Sequence, residues 1–166
     1  MNFPKKQAKT QSFDGLVIDN PDCYHDFRGY YWTVCKDDEK IYNHDKITVS
    51  KRNVLRGIHG DFNTVKMVSC VYGEIYCVVV DKRPDSKTYD QWRWIMLSHT
   101  NRTTVKIPAG VGLSYLVTSD EATVLYKLSY RGSYQDSDNQ FTYKWDDPNL
   151  GIDWPISSPI LQKRDK

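Results

Sequence analysis

The segment VKMVSCVYGEIYCVVVD, Val65 to Asp81, constrains the fold of this chain more than any other. It is rich in β-branched and aromatic residues and is broken once, at Tyr72-Gly73-Glu74. It reads as two strands joined by a tight turn at Gly73. The same pattern continues downstream. WRWIML and VKIP read as strands separated by the polar HTNRTT (His99 to Thr104), and PAGVG (Pro108 to Gly112) reads as a turn. In ATVLYKLSY (Ala122 to Tyr130), Val124, Tyr126, Leu128 and Tyr130 share one face, and Leu125, Lys127 and Ser129 share the other.

Helical periodicity is nearly absent. CKDDEKIYN (Cys35 to Asn43) is the best candidate for one short helix. Many short strands with turns between them predict an all-β fold, a double-stranded β-helix or jelly roll with few short helices. The C-terminal DDPNLGIDWPISSPILQKRDK carries three prolines and is expected to wrap the barrel as extended coil.

At 166 residues, without repeat, low-complexity segment or long linker, residues 1–166 are expected to form one domain. A net charge of +2, with Lys and Arg dispersed, argues against nucleic-acid or membrane partners. No apolar run approaches the ~18 residues of a membrane span. The N-terminal MNFPKKQAKT is not followed by an apolar core and so does not read as a signal peptide. Cys23, Cys35, Cys70 and Cys77 show no C-x-x-C spacing and are expected to be free thiols in a cytoplasmic protein.

The missing motifs narrow the chemistry. There is neither a phosphate-binding G-x-x-x-x-G-K-[ST] loop nor a dinucleotide glycine fingerprint. His25, His44, His59 and His99 are far apart with no H-x-H pair, so no metal site is expected. An acid–base set remains. In NVLRGIHGD, His59 lies at a glycine-flanked strand end where a ligand can approach closely, and an imidazole is a side chain suited to accept an acidified carbon-bound proton. Lys66 could stabilise an enolate, and Tyr126 could donate a proton if its face points inward. Arg56 and Arg28 offer planar forks suited to phosphate. By pattern alone His59 could equally be a strand-closing residue and Tyr126 a core tyrosine.

The segments VLRGIHGD, KMVSCVYGE, VVVDKRPDSKTYDQW, LYK, WDDPNLGIDWP and PILQKRD, in this order from about Asp26 to Asp165, resemble the dTDP-4-dehydrorhamnose 3,5-epimerase family. The resemblance implies a cofactor-independent epimerase acting on a nucleotide-diphosphate 4-keto-6-deoxy sugar, and a homodimer. His59 matches the base that removes the proton alpha to the C4 ketone, and Asp165 the carboxylate that orients it. Lys66 matches the lysine near the C4 oxygen, and Tyr126 the acid on the opposite face. Arg56 matches a diphosphate-holding arginine. Arg28, with Asp26 in the same motif, matches an arginine supplied by the other subunit. A C4 ketone acidifies both C3–H and C5–H, so the chemistry calls for neither metal nor nicotinamide.

Within the family, Gly60-Asp61 after the histidine and His44-Asp45-Lys46 resemble epimerases of GDP-linked 4-keto-heptoses in bacterial capsule pathways. Leu113 stands where the rhamnose members carry a second histidine. Base stacking is expected from Tyr130 or Tyr134. The alternatives are a dTDP-4-keto-6-deoxyglucose 3,5-epimerase, a 3,4-ketoisomerase, and a non-catalytic sugar-nucleotide-binding cupin.

Overall fold

The computed structural model of the chain describes residues 13–36, 38–39, 41–129 and 139–166. The strands run β1 (Val17–Asp19), β2 (Cys23–Asp26), β3 (Gly29–Trp32), β4 (His44–Lys51), β5 (Leu55–Gly60), β6 (Lys66–Tyr72), β7 (Glu74–Asp81), β8 (Trp92–Ser98), β9 (Thr104–Ile107), β10 (Val111–Val117), β11 (Glu121–Leu128) and β12 (Phe141–Thr142). One antiparallel sheet has the order β1-β9-β6-β11-β4, and the facing sheet the order β12-β5-β10-β7-β8. From β4 onward the chain mostly alternates between the two sheets, which is the expected all-β jelly roll. The β2–β3 hairpin forms a separate two-stranded sheet.

The Val65–Asp81 stretch does form two strands, but they do not pair with each other. β6 pairs with β9 and β11, and β7 pairs with β8 and β10. The turn at Gly73 is therefore a corner that carries the chain from one sheet to the other. The apolar run that made this stretch conspicuous follows from β7 being covered on both faces. Ile75, Cys77 and Val79 point into the core between the sheets with Val68, Val105, Tyr115 and Val124. Tyr76, Val78 and Val80 point the other way, against Leu55, Ile58, Leu116 and the tryptophans 92, 94, 145 and 154. A strand buried on both sides needs no polar alternation.

The C-terminal segment supplies much of this second cover and runs as extended coil, ending in a 3-10 turn at Lys163–Asp165. Backbone hydrogen bonds fix its register beside the start of β5. Ile160 N–H donates to Asn53 O at 2.8 Å, and Leu55 N–H donates to Ile160 O at 3.0 Å. The helix expected over Cys35–Asn43 does not form among the described residues there; Asp38 and Glu39 make a turn. Lys36, Asp38 and Glu39 are exposed, whereas Cys35, Ile41 and Tyr42 are half-buried. In β11 the expected alternation holds: Val124 and Leu128 are buried, Tyr126 packs against the core, and Lys127 turns outward to Asp45.

Candidate active site

A cavity of about 200 Å³ lies between the two sheets. β5 contributes Arg56 and His59, and β10 contributes Leu113 and Tyr115. From the opposite sheet come Lys46 and Thr48 of β4, Lys66 of β6, and Tyr126 and Leu128 of β11. Gln140 and Gln162 complete the wall from coil segments.

β5 owes its shape to two glycines. Gly57 has φ +113°, and a Cβ there would lie 2.5 Å from Leu113 O and 2.7 Å from Ser114 Cα. Only glycine permits both the dihedral and the contact. At Gly60 a Cβ would overlap the Phe141 ring, so β12 can lie flat against β5, with Thr142 opposite His59.

His59 is held from two directions. Asp165 Oδ1 stands 2.7 Å from Nε2, the carboxylate being fully buried and the imidazole largely so. The oxygen lies off the ring N–H direction, so this is a close electrostatic pair, not an aligned hydrogen bond. On the other side Nδ1 is 3.1 Å from Thr142 Oγ1. That oxygen also accepts hydrogen bonds from Arg164 Nε at 3.1 Å and Nη2 at 3.0 Å. With its lone pairs engaged, the Thr142 hydroxyl is left to donate to Nδ1, which puts the imidazole proton on Nε2, facing Asp165.

Lys66 and Asp61 form a second buried pair, Nζ to Oδ2 at 3.7 Å. Burial pulls the lysine below its ordinary pKa, and Asp61 partly offsets the shift. Asp61 Oδ1 accepts the backbone N–H groups of Asn63 at 2.9 Å and Thr64 at 2.6 Å, which fixes the carboxylate. Burial pushes the Tyr126 phenol well above its usual range; the neighbouring Tyr115 hydroxyl adds to the rise and the Arg56 charge opposes it. Tyr126 thus stays protonated at neutral pH. Arg56 itself donates from Nε to Ser50 Oγ at 2.9 Å.

Of the residues singled out in the sequence, His59, Lys66, Tyr126, Arg56, Lys46 and Leu113 line this cavity, and Asp165 stands behind His59. Leu113 sits directly across from His59 in the β5–β10 register. His44 begins β4 but is not among the lining residues. Arg28 and Asp26 are also remote from the lining. They pair with each other on the exposed β2–β3 hairpin, with the Arg28 side chain 74% exposed. Tyr130 and Tyr134 lie outside the described residues. Sequence reasoning missed Thr48, Tyr115, Leu128, Gln140 and Gln162. Strand parity would have reached three of these: Thr48 follows Lys46 by two, Tyr115 follows Leu113, and Leu128 follows Tyr126.

Comparison with known proteins matches the chain and its fold to one family. The family model described as dTDP-4-dehydrorhamnose 3,5-epimerase matches residues 10–166. A protein named dTDP-4-dehydrorhamnose 3,5-epimerase from Methanothermobacter thermautotrophicus is 35% identical over 93% of this chain and 89% of its own length. Among solved structures, dTDP-6-deoxy-D-glucose-3,5-epimerase from Legionella pneumophila, in complex with dTDP-4-keto-L-rhamnose, has a TM-score of 0.85. It is 30% identical, with 93% of this chain and 87% of that chain covered. The 3'-monoepimerase ChmJ from Streptomyces bikiniensis, in complex with dTDP-quinovose, has a TM-score of 0.84 at 29% identity, covering 93% and 83%. The chain belongs to the dTDP-4-dehydrorhamnose 3,5-epimerase family, a family of sugar-nucleotide epimerases.

Proposed function

We propose that the protein epimerises a dTDP-linked 4-keto-6-deoxy sugar at C3, and at C5 where Tyr126 can reach it, without a cofactor. One observation carries the reading. His59 with Asp165 on one wall of the cavity faces Lys66 and Tyr126 on the other, so a sugar ring between them meets a base on one face and an acid on the opposite face. His59 takes the proton alpha to the C4 ketone, Lys66 stabilises the oxyanion of the enolate, and Tyr126 returns a proton from the far side. Asp165 holds the Nε2 side of the imidazole. Proton abstraction by Nδ1 requires the Thr142 hydroxyl to release that nitrogen, and the Asp165 contact tightens as the ring settles on substrate.

A cavity of about 200 Å³ is smaller than the usual 300–1,000 Å³ ligand site, so it takes the sugar and leaves the nucleotide outside. Arg56 on the cavity wall is suited to the diphosphate. The exposed hairpin supports a homodimer in which Arg28 reaches a partner's nucleotide. Tyr24, Phe27, Tyr30 and Tyr31 are exposed on it, as are Ile47 and Val49 on the edge strand β4. A two-stranded hairpin with this much apolar surface is marginal on its own. Cys23, Cys70 and Cys77 form no disulfide among the described residues, which supports a reducing, cytoplasmic setting.

The dTDP assignment follows the relatives reported above, which are named for, or complexed with, dTDP-linked sugars. A GDP-linked 4-keto-heptose is the second reading, and Lys46 on the cavity wall favours it. The Gly60-Asp61 pair that suggested it in the sequence has other work. Gly60 accommodates Phe141, and Asp61 binds the backbone and Lys66.

The test is incubation in deuterated water with dTDP-linked and GDP-linked 4-keto-6-deoxy sugars, followed by NMR. Deuterium is expected at C3 of the dTDP substrate, with inversion. Exchange with the GDP substrate alone reverses the nucleotide assignment. Carbonyl migration signifies a ketoisomerase, and no exchange with any substrate leaves only a binding protein.

A further inference from the structure

A base must present a bare lone pair, and Asp165 does not by itself leave one on His59. Its carboxylate, 2.7 Å from Nε2, is a suitable neighbour for an imidazole that carries one proton or two. What keeps a proton off Nδ1 must come from the other side of the ring, where Thr142 Oγ1 is 3.1 Å away. A hydroxyl alone does not decide the matter, because it can donate to a bare Nδ1 or accept from an Nδ1–H.

Arg164 decides it. Its Nε and Nη2 donate to Thr142 Oγ1 at 3.1 and 3.0 Å, and a guanidinium cannot accept in return. The two bonds fill both lone pairs of the hydroxyl oxygen, so its hydrogen is left for Nδ1. Nη2 also donates to Gln140 Oε1 at 3.3 Å, which ties the guanidinium to a second residue at this end of the cavity. β12 is two residues long and Thr142 is exposed on it, so the strand alone does not fix the hydroxyl. Arg164 precedes Asp165 in the 3-10 turn. Neighbouring residues of one turn thus act on opposite nitrogens of the same ring.

We propose that Arg164 is a positioning residue for the base: through Thr142 it holds Nδ1 as a hydrogen-bond acceptor, and so keeps His59 in the form that can take a proton from carbon. The inference rests on His59 being the base proposed above. When the Thr142 hydroxyl lets go of the ring, Nδ1 is left bare. Without Arg164 the Thr142 oxygen has a lone pair to offer, and the ring can hold two protons, one toward Thr142 and one toward Asp165. The other charged and titratable groups of the cavity are Arg56 on β5, Tyr115 on β10, Lys46 on β4, Lys66 on β6 and Tyr126 on β11. None of them is altered by removing Arg164. An Arg164 that merely fastened the tail would matter equally with or without the Thr142 hydroxyl.

The experiment uses the full chain and compares wild type with Arg164→Met, Thr142→Val and the double variant. Two properties are measured. Proton–nitrogen NMR correlations of the His59 ring, without substrate, count the protons it carries. Deuterium exchange into a dTDP-linked 4-keto-6-deoxy sugar is followed across pH. Wild type is expected to carry a proton on Nε2 alone. Arg164→Met should gain one on Nδ1, and the acid limb of kcat for exchange should move to higher pH, so that the rate on that limb falls about tenfold. KM should hold, because Arg164 does not line the cavity. In the Thr142→Val background, which offers Nδ1 neither donor nor acceptor, Arg164→Met should have no further effect. An unmoved proton count and acid limb in Arg164→Met overturns the proposal. So does an equal effect of Arg164→Met with and without Thr142, or a loss of rate that is the same at every pH, since both report tail packing alone. A thermal melt shows whether each variant is folded. Where Arg164→Met is not, Arg164→Lys replaces it; one ammonium bond leaves a lone pair open, and the same shift is expected at smaller size. Wild-type protein without exchange fails at the earlier reading, whereas the proton count on His59 is read without turnover, so the two failures are distinguishable.

Discussion

His59 Nε2 and Asp165 Oδ1 stand 2.7 Å apart, brought together by a C-terminal segment that docks beside β5 through the backbone hydrogen bonds of Ile160 with Asn53 and Leu55. His59 rises from a strand, whereas Asp165 arrives from a 3-10 turn far along the chain. The pairing therefore depends on the register of that coil, and it is open to direct test.

Asp165→Asn keeps the shape of the side chain and removes its charge. Exchange and inversion are expected to fall together, roughly 10²-fold, because both begin with proton removal by His59. His59→Ala should abolish both. Wild-type exchange rates in Asp165→Asn, measured by NMR, would show that the carboxylate does not support the base.

Tyr126→Phe should separate the two rates. Proton removal on the His59 face survives, and delivery from the opposite face is lost, so inversion falls by roughly 10²-fold or more while exchange persists. Equal loss of both would exclude Tyr126 as the opposite-face acid.

The pH profile should report Lys66. Enolate stabilisation requires the ammonium form; burial lowers the lysine's pKa and Asp61 counteracts part of that fall. Asp61→Asn can keep the backbone bonds to Asn63 and Thr64 through its amide oxygen while losing the charge. The Lys66 pKa then drops further, and the alkaline decline in kcat begins at lower pH than in wild type, with the acid limb unmoved. Tyr126, whose pKa is raised, stays protonated through that range and does not produce the decline. An alkaline limb that stays in place or moves upward in Asp61→Asn contradicts this assignment of Lys66.

Gly57→Ala should be among the most damaging small substitutions. The added Cβ meets the β10 backbone at 2.5 Å in a conformation with φ +113°. A cost on the order of 3 kcal/mol is expected, read as a Tm about 6–12 °C lower. An unchanged Tm would mean that β5 can shift without penalty.

Much of this architecture could be read from the sequence because strand parity is a strong signal. The alternation grouped Val124, Tyr126 and Leu128 on one face of β11, which the structure turns inward, and the prolines of the tail marked it as coil. The Gly73 turn was visible, but its role as a corner between sheets was not, because a tight turn between two apolar runs resembles a hairpin. The run Cys35 to Asn43 misled because charge density imitates the polar face of a helix. In the site, His59, Lys66 and Tyr126 became candidates through their residue types and places on strands, and family resemblance gave them their roles. Asp165 came from family resemblance alone. Gln140 and Gln162 come from coil, where no period exists to count. Asp61 was read as a mark of substrate choice; its hydrogen bonds show a carboxylate turned toward the backbone and Lys66.

His59, the proposed base, belongs to one sheet, and Tyr126 and Lys66, the proposed acid and enolate stabiliser, belong to the other. The thickness of the sandwich, ~10 Å between facing sheets, is therefore also the gauge of the reaction, since it sets how far apart the two proton-handling groups stand. Core residues such as Val68, Val79 and Val124 act as spacers for that gap, although none of them touches a substrate. Enlarging or shrinking one of them would retune the inversion by changing the clearance across the sugar ring, and interior packing in this protein is in that sense part of its catalytic machinery.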